Sequence, residues 1–273
     1  MNLLYCLDEK YNNQCLVSIK SIISQGNFVE NLFILHKNPK SFDHSLISDG
    51  VKNFEIYKFK NVDKKMINKS KASLKNTHLN ISTYFRIFFE NYLPNSISNI
   101  LYLDSDTVCV NKFSKIYNLI HKNLIDNDLG IAARSIGTIE TNQDLFNTLN
   151  MKSDTYFNAG VLFINCDYWK KNQIKNSCLL ELKKSDGGFK YHDQDLLNKV
   201  FDGKYLELNR TLNQFLKVDE IEENQNIVDS LVNEAYLLHY VGKNKPWDKK
   251  YYTSKNSSYY QNIYYKLFNK NHY

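Results

Sequence analysis

The chain has 273 residues, of which 42% are hydrophobic and 23% charged, with a formal net charge of +6. That length predicts one large domain, or one domain with an appendage, and that composition excludes a disordered chain and a fibre. Five cysteines without a C-x-x-C pair argue against a disulfide framework and a zinc ribbon.

No uncharged apolar run approaches the roughly 18–20 residues of a membrane span. Asp8 and Glu9 interrupt the apolar start too early for a signal peptide. The expected compartment is therefore the cytoplasm. The body of the chain carries no concentrated basic stripe, so no nucleic-acid partner is expected.

In chain order, residues 2–7 read as an apolar strand ending at Asp8, and Leu16, Ile19 and Ile22 place a helix over about 13–25. Strands follow over 32–36 and 54–59. Ile81, Tyr84, Phe85, Phe88 and Phe89 form one face of a helix that stops near Pro94. A buried strand over 100–103 ends at Asp104, and further strands cover 129–133 and 161–165, each followed by helix. Residues 193–201 are helical, and 236–241 form a last strand. Strands alternating with helices predict an α/β sandwich with a largely parallel sheet. Ligands of such sheets sit beyond the carboxyl ends of the strands, where Asp8, Asp104 and Asp106 fall.

Asp104-Ser105-Asp106 follows the apolar strand directly. Two carboxylates spaced by one residue can converge on a hard divalent ion such as Mn²⁺ or Mg²⁺, and that ion would neutralise a bound phosphate. The same motif fits haloacid-dehalogenase-like phosphatases, with Asp104 as nucleophile. There, however, the motif opens the fold, whereas here several elements precede it. His239, leaving a strand, is followed by Gly242 and Lys245. Together they offer a metal ligand, a close backbone approach and a phosphate cation. Cys109 and Cys166 sit beside motifs but read as small packed hydrophobes.

Six ordered segments carry a resemblance: Leu7 to Tyr11, Ser82 to Arg86, Leu101 to Asp106, Tyr156 to Val161, His192 to Asp195, and His239 to Trp247. From Leu3 to about Trp247 the chain resembles glycosyltransferase family 8, which includes bacterial lipopolysaccharide galactosyl- and glucosyltransferases and the glycogenins. The resemblance implies a GT-A type fold with a mixed, mostly parallel sheet flanked by helices. It implies Mn²⁺, with Mg²⁺ as the other hard ion, and UDP-galactose or UDP-glucose as donor. The sugar would pass with retention to a glycan, glycolipid or glycoprotein acceptor.

Asp104, Asp106 and His239 would hold the metal, and Gly242 and Lys245 would contact the phosphates. Asp8 would accept from uracil, with Lys10 and Tyr11 bordering the nucleotide and His78 near the diphosphate. Arg86, Asn158, Asp193 and Gln194 would line the sugar, with Ser105 and Ala159 among the donor contacts and Gln194 near the anomeric centre. Arg86, Asp193 and Gln194 are the catalytic candidates. The chain departs from the family pattern at Lys10, where asparagine is frequent, and at Arg134, where some members carry an acceptor-side aspartate. A nucleotide-sugar hydrolase and a non-catalytic binding module are the competing functions.

Residues 1–250 are expected to form the catalytic domain and 251–273 a basic, aromatic extension. From Trp247 to Tyr273 there are five lysines, one acid and nine aromatics. Tyr260, Tyr264, Leu267 and Phe268 recur at helical spacing. That face either packs on the domain or lies on an anionic membrane, which would place the protein peripherally at its inner face.

Overall fold

The first strand, β1 (Asn2–Leu7), sends Leu3, Tyr5 and Leu7 into one core and Leu4 into another. This period of two belongs to a strand buried on both faces of a parallel sheet. The computed structural model describes residues 1–60, 81–185, 189–219 and 225–269. After β1 come α1 (Asn12–Ser24), β2 (Val29–His36), β3 (Val51–Lys58) and a 3-10 helix (Ile81–Asn91). Then follow β4 (Asn99–Leu103), β5 (Thr107–Cys109), α2 (Ser114–Asp126), β6 (Ile131–Ala133) and β7 (Ser135–Thr138). The middle of the chain adds α3 (Ile139–Leu149), β8 (Thr155–Phe157), β9 (Val161–Asn165), α4 (Cys166–Lys171) and α5 (Ile174–Lys184). It closes with α6 (Asp193–Phe201), β10 (Leu206–Glu207), β11 (Gln214–Leu216), α7 (Gln225–Glu234), β12 (Leu237–Tyr240) and α8 (Ser258–Phe268).

The large sheet runs β10-β6-β9-β4-β1-β2-β3. Its neighbours are parallel except at β9, which is antiparallel to both β4 and β6. One face is covered by α1, α2 and α8, the other by the 3-10 helix, α4, α5 and α6. The expected mixed, mostly parallel sheet flanked by helices is what the chain forms. A smaller sheet, β11-β12-β5, joins parallel β11/β12 to antiparallel β12/β5. Sequence periodicity registers only β12 of these, because three-residue strands are too short to show a period.

One boundary and one helix winding have visible causes. β2 begins at Val29, not residue 32, because polar Asn31 is a rung of a side-chain ladder with Asn2 (2.7 Å) and Asn53 (3.0 Å). Residues 81–91 form the expected helix, wound as a 3-10 helix. With three residues per turn, Thr83 and Arg86 eclipse, and Arg86 Nε donates to the Thr83 carbonyl at 3.1 Å. The aromatic face is as expected: Tyr84, Phe85, Phe88 and Phe89 are fully buried, and Phe59 stacks on Phe85.

In α8, Tyr260, Tyr264 and Leu267 are buried, and the helix packs on α1. Lys266 is outside that face; Lys270 and Tyr273 lie outside the described residues. Among the described residues no helix is long and apolar enough to cross a membrane.

His121 on α2 is buried against Tyr117 and Phe163, and among the described residues neither ring nitrogen has a hydrogen-bond partner. Burial first, and the amino terminus second, push its pKa down to about 3. An unfolded histidine titrates near ~6.5. The stability conferred by neutral His121 is therefore complete above about pH 6.5 and is lost as pH falls towards 3. His121→Leu is expected to flatten the acid side of a melting-temperature profile, by up to about 2 kcal/mol at pH 5. An acid decline identical to wild type would assign that loss to other groups.

Candidate active site

The chain leaves β1 for β2 and β3 on one side and returns to β4 on the other, so the sheet order reverses between β1 and β4. A crevice opens at such a switch point. Asp8 follows β1 and Asp104 follows β4, one on each side of it. Asp8 is buried and accepts from Lys10 N at 3.0 Å, capping the turn that leads into α1. Because β9 runs backwards, its beginning meets the end of β4: Leu103 pairs with Val161, and Asp104 N donates to Gly160 O at 2.8 Å. The reversed strand thus delivers Asn158-Ala159-Gly160 to the carboxylates.

The small sheet delivers His239. β5 starts just after Asp106 and pairs with β12, placing Thr107 opposite His239 and the Tyr240 N–H on Asp106 O at 3.0 Å. Asp104, Asp106 and His239 offer ligand atoms all within 4.8 Å of one another. A side chain at Gly160 would intrude on this cluster, since a Cβ there would lie 2.2 Å from His239 Cε1 and 2.9 Å from Asp104 Oδ2.

A chain of amides assigns the imidazole tautomer. Gly160 N donates to Asn158 Oδ1 at 3.0 Å, so that atom is an oxygen, and Asn213 Nδ2 donates to it at 3.0 Å. The remaining Asn213 oxygen must accept from His239 Nδ1, 2.9 Å away. The neutral ring then carries its lone pair on Nε2. Nε2 faces Asp106 Oδ1 at 3.3 Å, and that oxygen is buried without a hydrogen bond among the described residues. Two lone pairs meeting in a buried place fit a cation between them. Two carboxylates and one imidazole, with the imidazole oriented from behind by an amide, suit a hard divalent ion.

Arg86 closes the other side. Its NH2 group pairs with Asp104 Oδ1 at 2.8 Å, its Nε lies 2.9 Å from Asp193 Oδ2, and its NH1 donates to the Ala159 carbonyl. Its guanidinium covers the Tyr102 ring, whose hydroxyl donates to Asp104 at 2.5 Å. Burial disfavours the Arg86 charge, but Asp104 and Asp193 outweigh it and raise the pKa. Burial dominates at Asp193, whose carboxyl is pushed up to about 6 despite Arg86. Asp193 Oδ2 is left without a hydrogen bond, because the Arg86 Nε–H is directed at Thr83 O. Gln194 is fully committed: Oε1 accepts from Asn158 Nδ2 (3.1 Å) and Ala159 N (3.0 Å), and Nε2 donates to the Tyr156 hydroxyl (3.1 Å).

Lys245 reaches the cluster from the loop after β12, where Gly242 takes φ +90°. Its Nζ donates to Asp106 Oδ2 at 2.7 Å and to the Tyr240 carbonyl at 2.5 Å. Burial raises the Asp106 pKa, but the Lys245 ammonium beside it outweighs burial and holds the carboxyl well below its usual range. Tyr11 meets Trp247 edge-on at 6.3 Å. A cleft of ≈ 130 Å³ lies over these groups, lined by Tyr11, Thr83, Arg86, Asp104, Ser105 and Asp106. A larger hollow of ≈ 690 Å³, lined by residues including Leu145, Leu149 and Lys199, contains none of the metal-type cluster. Chemistry, not volume, selects the smaller cleft.

Residues 2–251 match the family model described as "Glycosyl transferase family 8". The chain belongs to glycosyl transferase family 8.

Family 8 relatives similar to this chain include a lipopolysaccharide 1,2-glucosyltransferase of Escherichia coli, 28% identical over 96% of this chain and 77% of its own length. A lipopolysaccharide 1,3-galactosyltransferase of Salmonella typhimurium is 26% identical over 90% of this chain and 72% of its own. Among solved structures, the galactosyltransferase LgtC with donor and acceptor sugar analogues superposes with a TM-score of 0.76 at 20% identity, covering 98% of this chain and 96% of LgtC. The fold is accordingly of GT-A type, and the chain is a sugar transferase. The phosphatase alternative falls with this assignment.

The family 8 fold brings together the residues expected at the site, from Asp8 and Tyr11 through Arg86 and the 104–106 and 158–160 segments to His239 and Lys245. His78 lies outside the described residues. Arg134, which stands where some members carry an acceptor-side aspartate, stacks on Phe215 and donates to Asn213 O at 2.6 Å, so it braces the turn that orients His239. Asn213, Tyr102 and Tyr156 escaped the sequence reading. Tyr102 and Tyr156 lie inside quoted motifs as apolar positions, and Asn213 stands in no motif at all.

Gly160→Ala should force Asp104 or His239 out of position, at a cost of about 1–3 kcal/mol. A melting curve is expected to show that loss together with near-complete loss of sugar transfer. Wild-type values for both would mean that the cluster tolerates a methyl group in its midst.

Proposed function

We propose that this family 8 enzyme transfers glucose or galactose, with retention, from a UDP-sugar to a saccharide acceptor in a Mn²⁺-dependent reaction. The observation that carries the proposal is the convergence of Asp106 Oδ1 and His239 Nε2, with no proton between them in the assigned tautomer, beside Asp104. The names of the relatives support a hexose donor and a cell-surface glycan as acceptor.

Asp104, Asp106 and His239 would hold the ion. When bound, it supplies Lewis-acid stabilisation of the charge that develops on the departing diphosphate. Lys245 and the open backbone at Gly242 meet the same phosphates, Asp8 and Tyr11 border the base, and Arg86, Asn158 and Ala159 form the sugar wall. Asp193 Oδ2, ion-paired with Arg86 but without a hydrogen bond among the described residues, is an acceptor suited to a sugar hydroxyl. In the reaction the anomeric carbon–oxygen bond to phosphate breaks and a bond to the acceptor oxygen forms on the same face. The acceptor's proton passes to the leaving phosphate oxygen. An amide is a poor nucleophile, and Gln194 has both ends engaged within the protein. This favours front-face attack over a covalent intermediate on Gln194.

A thermal-shift screen of UDP-glucose, UDP-galactose and UDP-N-acetylglucosamine with Mn²⁺ identifies the donor. UDP release that rises with a glycan acceptor separates transfer from hydrolysis, and binding without any release would leave only a binding module. Asp106→Ala is expected to abolish Mn²⁺-dependent stabilisation by UDP and to lower transfer by about a hundredfold or more. Transfer at the wild-type rate in EDTA would sink the metal assignment.

Asp193→Asn, which keeps the shape but loses the charge, should impair transfer while UDP affinity stays within a few-fold of wild type. Comparing UDP and UDP-sugar titrations checks this. Equal weakening of the two would assign Asp193 to the fold and not to the sugar.

A further inference from the structure

The two carboxylates of the metal-type cluster each have an internal cation, but the two cations are held very differently. Arg86, paired with Asp104, is 5% exposed and fixed by Asp193, the Thr83 and Ala159 carbonyls and the Tyr102 ring. Leaving Asp104 would break that whole set. Lys245, paired with Asp106, is 18% exposed and among the described residues holds only Asp106 and the Tyr240 carbonyl. Its backbone is pinned on its own, because Lys245 N donates to Asp248 Oδ2 at 2.7 Å and Asp248 N donates back to Lys245 O at 3.0 Å. A flexible four-carbon stem thus pivots on a fixed root.

We propose that Lys245 is the resting-state counter-ion of the metal site, occupying Asp106 when no divalent ion is bound and moving to the donor's diphosphate when one enters. This rests on the metal-dependent, diphosphate-binding function proposed above. A carboxylate already neutralised by an ammonium attracts a second cation less, so Lys245 opposes binding of the free ion. A diphosphate gives the ammonium a new anionic partner and removes that opposition. Metal and donor therefore bind cooperatively through one side chain, since any differential affinity between two states couples the ligands that bias them. The site stays weak for metal alone and becomes tight when the donor is present.

The test is Mn²⁺ affinity, measured by calorimetry or by the electron paramagnetic resonance of free Mn²⁺, without nucleotide and with saturating UDP. Lys245→Met is expected to bind Mn²⁺ alone about three- to tenfold tighter than wild type, the scale of one ion pair. UDP should then improve Mn²⁺ affinity by a smaller factor than in wild type. Lys243→Met removes an equal charge from the same loop at an exposed position and should change Mn²⁺ affinity by less than about twofold, as a screened surface charge does. Should the methionine variant fail to fold, Lys245→Gln carries the same expectation. Unchanged or weaker binding of Mn²⁺ alone by the Lys245 variants overturns the proposal, and so does an equal gain in Lys243→Met, which would reflect the general field. If wild type binds Mn²⁺ and transfers sugar while the Lys245 variants show no gain, the counter-ion role fails and the enzyme function stands. If wild type binds no Mn²⁺ even with UDP, the metal reading itself fails.

Discussion

One buried guanidinium holds the site together. Arg86 bridges the end of β4 at Asp104, the start of α6 at Asp193 and the turn before β9 at Ala159, three segments far apart in the chain. Burying a charge costs several kcal/mol unless its partners are complete, and here two carboxylates, two carbonyls and an aromatic face complete them. The 3-10 winding of residues 81–91 belongs to the same constraint, because it aligns Arg86 with the Thr83 carbonyl. Removing any one partner leaves the others with an uncompensated buried charge. The cleft is therefore a rigid electrostatic assembly at its Arg86 wall.

The opposite wall is set by neutral groups. Asn213, Asn158 and Gln194 form a relay of amides in which each oxygen and nitrogen is fixed by a backbone N–H at Gly160 or Ala159. That relay ends on His239 and decides which of its nitrogens faces the carboxylates. Such networks gain strength in a low-dielectric interior only when every member is satisfied. Among the described residues of the site, Thr83 Oγ1, Asp106 Oδ1 and Asp193 Oδ2 depart from that rule.

Between these walls lies the loop after β12, which is supported differently. Trp247 packs on Tyr260, Gln261 donates to the Pro246 carbonyl, and the Tyr240 hydroxyl donates to Asn256 O at 2.8 Å. The C-terminal helix thereby buttresses the segment that carries Gly242 and Lys245. It anchors the root of the loop while leaving the lysine stem few contacts. A fixed Arg86 wall and a fixed His239 wall thus face one lysine held by few contacts.

The sequence by itself determined the strands with unbroken apolar runs, β1, β4 and β9, the aromatic face of 81–91 and the apolar stripe of α8, though not what that stripe packs on, because hydrophobic periodicity is written locally. It also determined the chemical inventory, since Asp104, Asp106, His239, Gly242 and Lys245 stand in short motifs whose residue types suit a metal and a phosphate. It did not contain the small sheet, whose strands of three or four residues gain their register only from each other. Nor did it contain the roles of Asn213, Tyr102 and Tyr156, which read as ordinary polar or apolar positions until the chain folds. Pairings between residues more than a hundred apart, such as His239 with Thr107 and Lys245 with Asp106, exist only once the sheets are assembled. A local pattern fixes which face of an element is buried, but the partner across the gap is chosen by long-range register, and that choice made a list of reactive residues into one site.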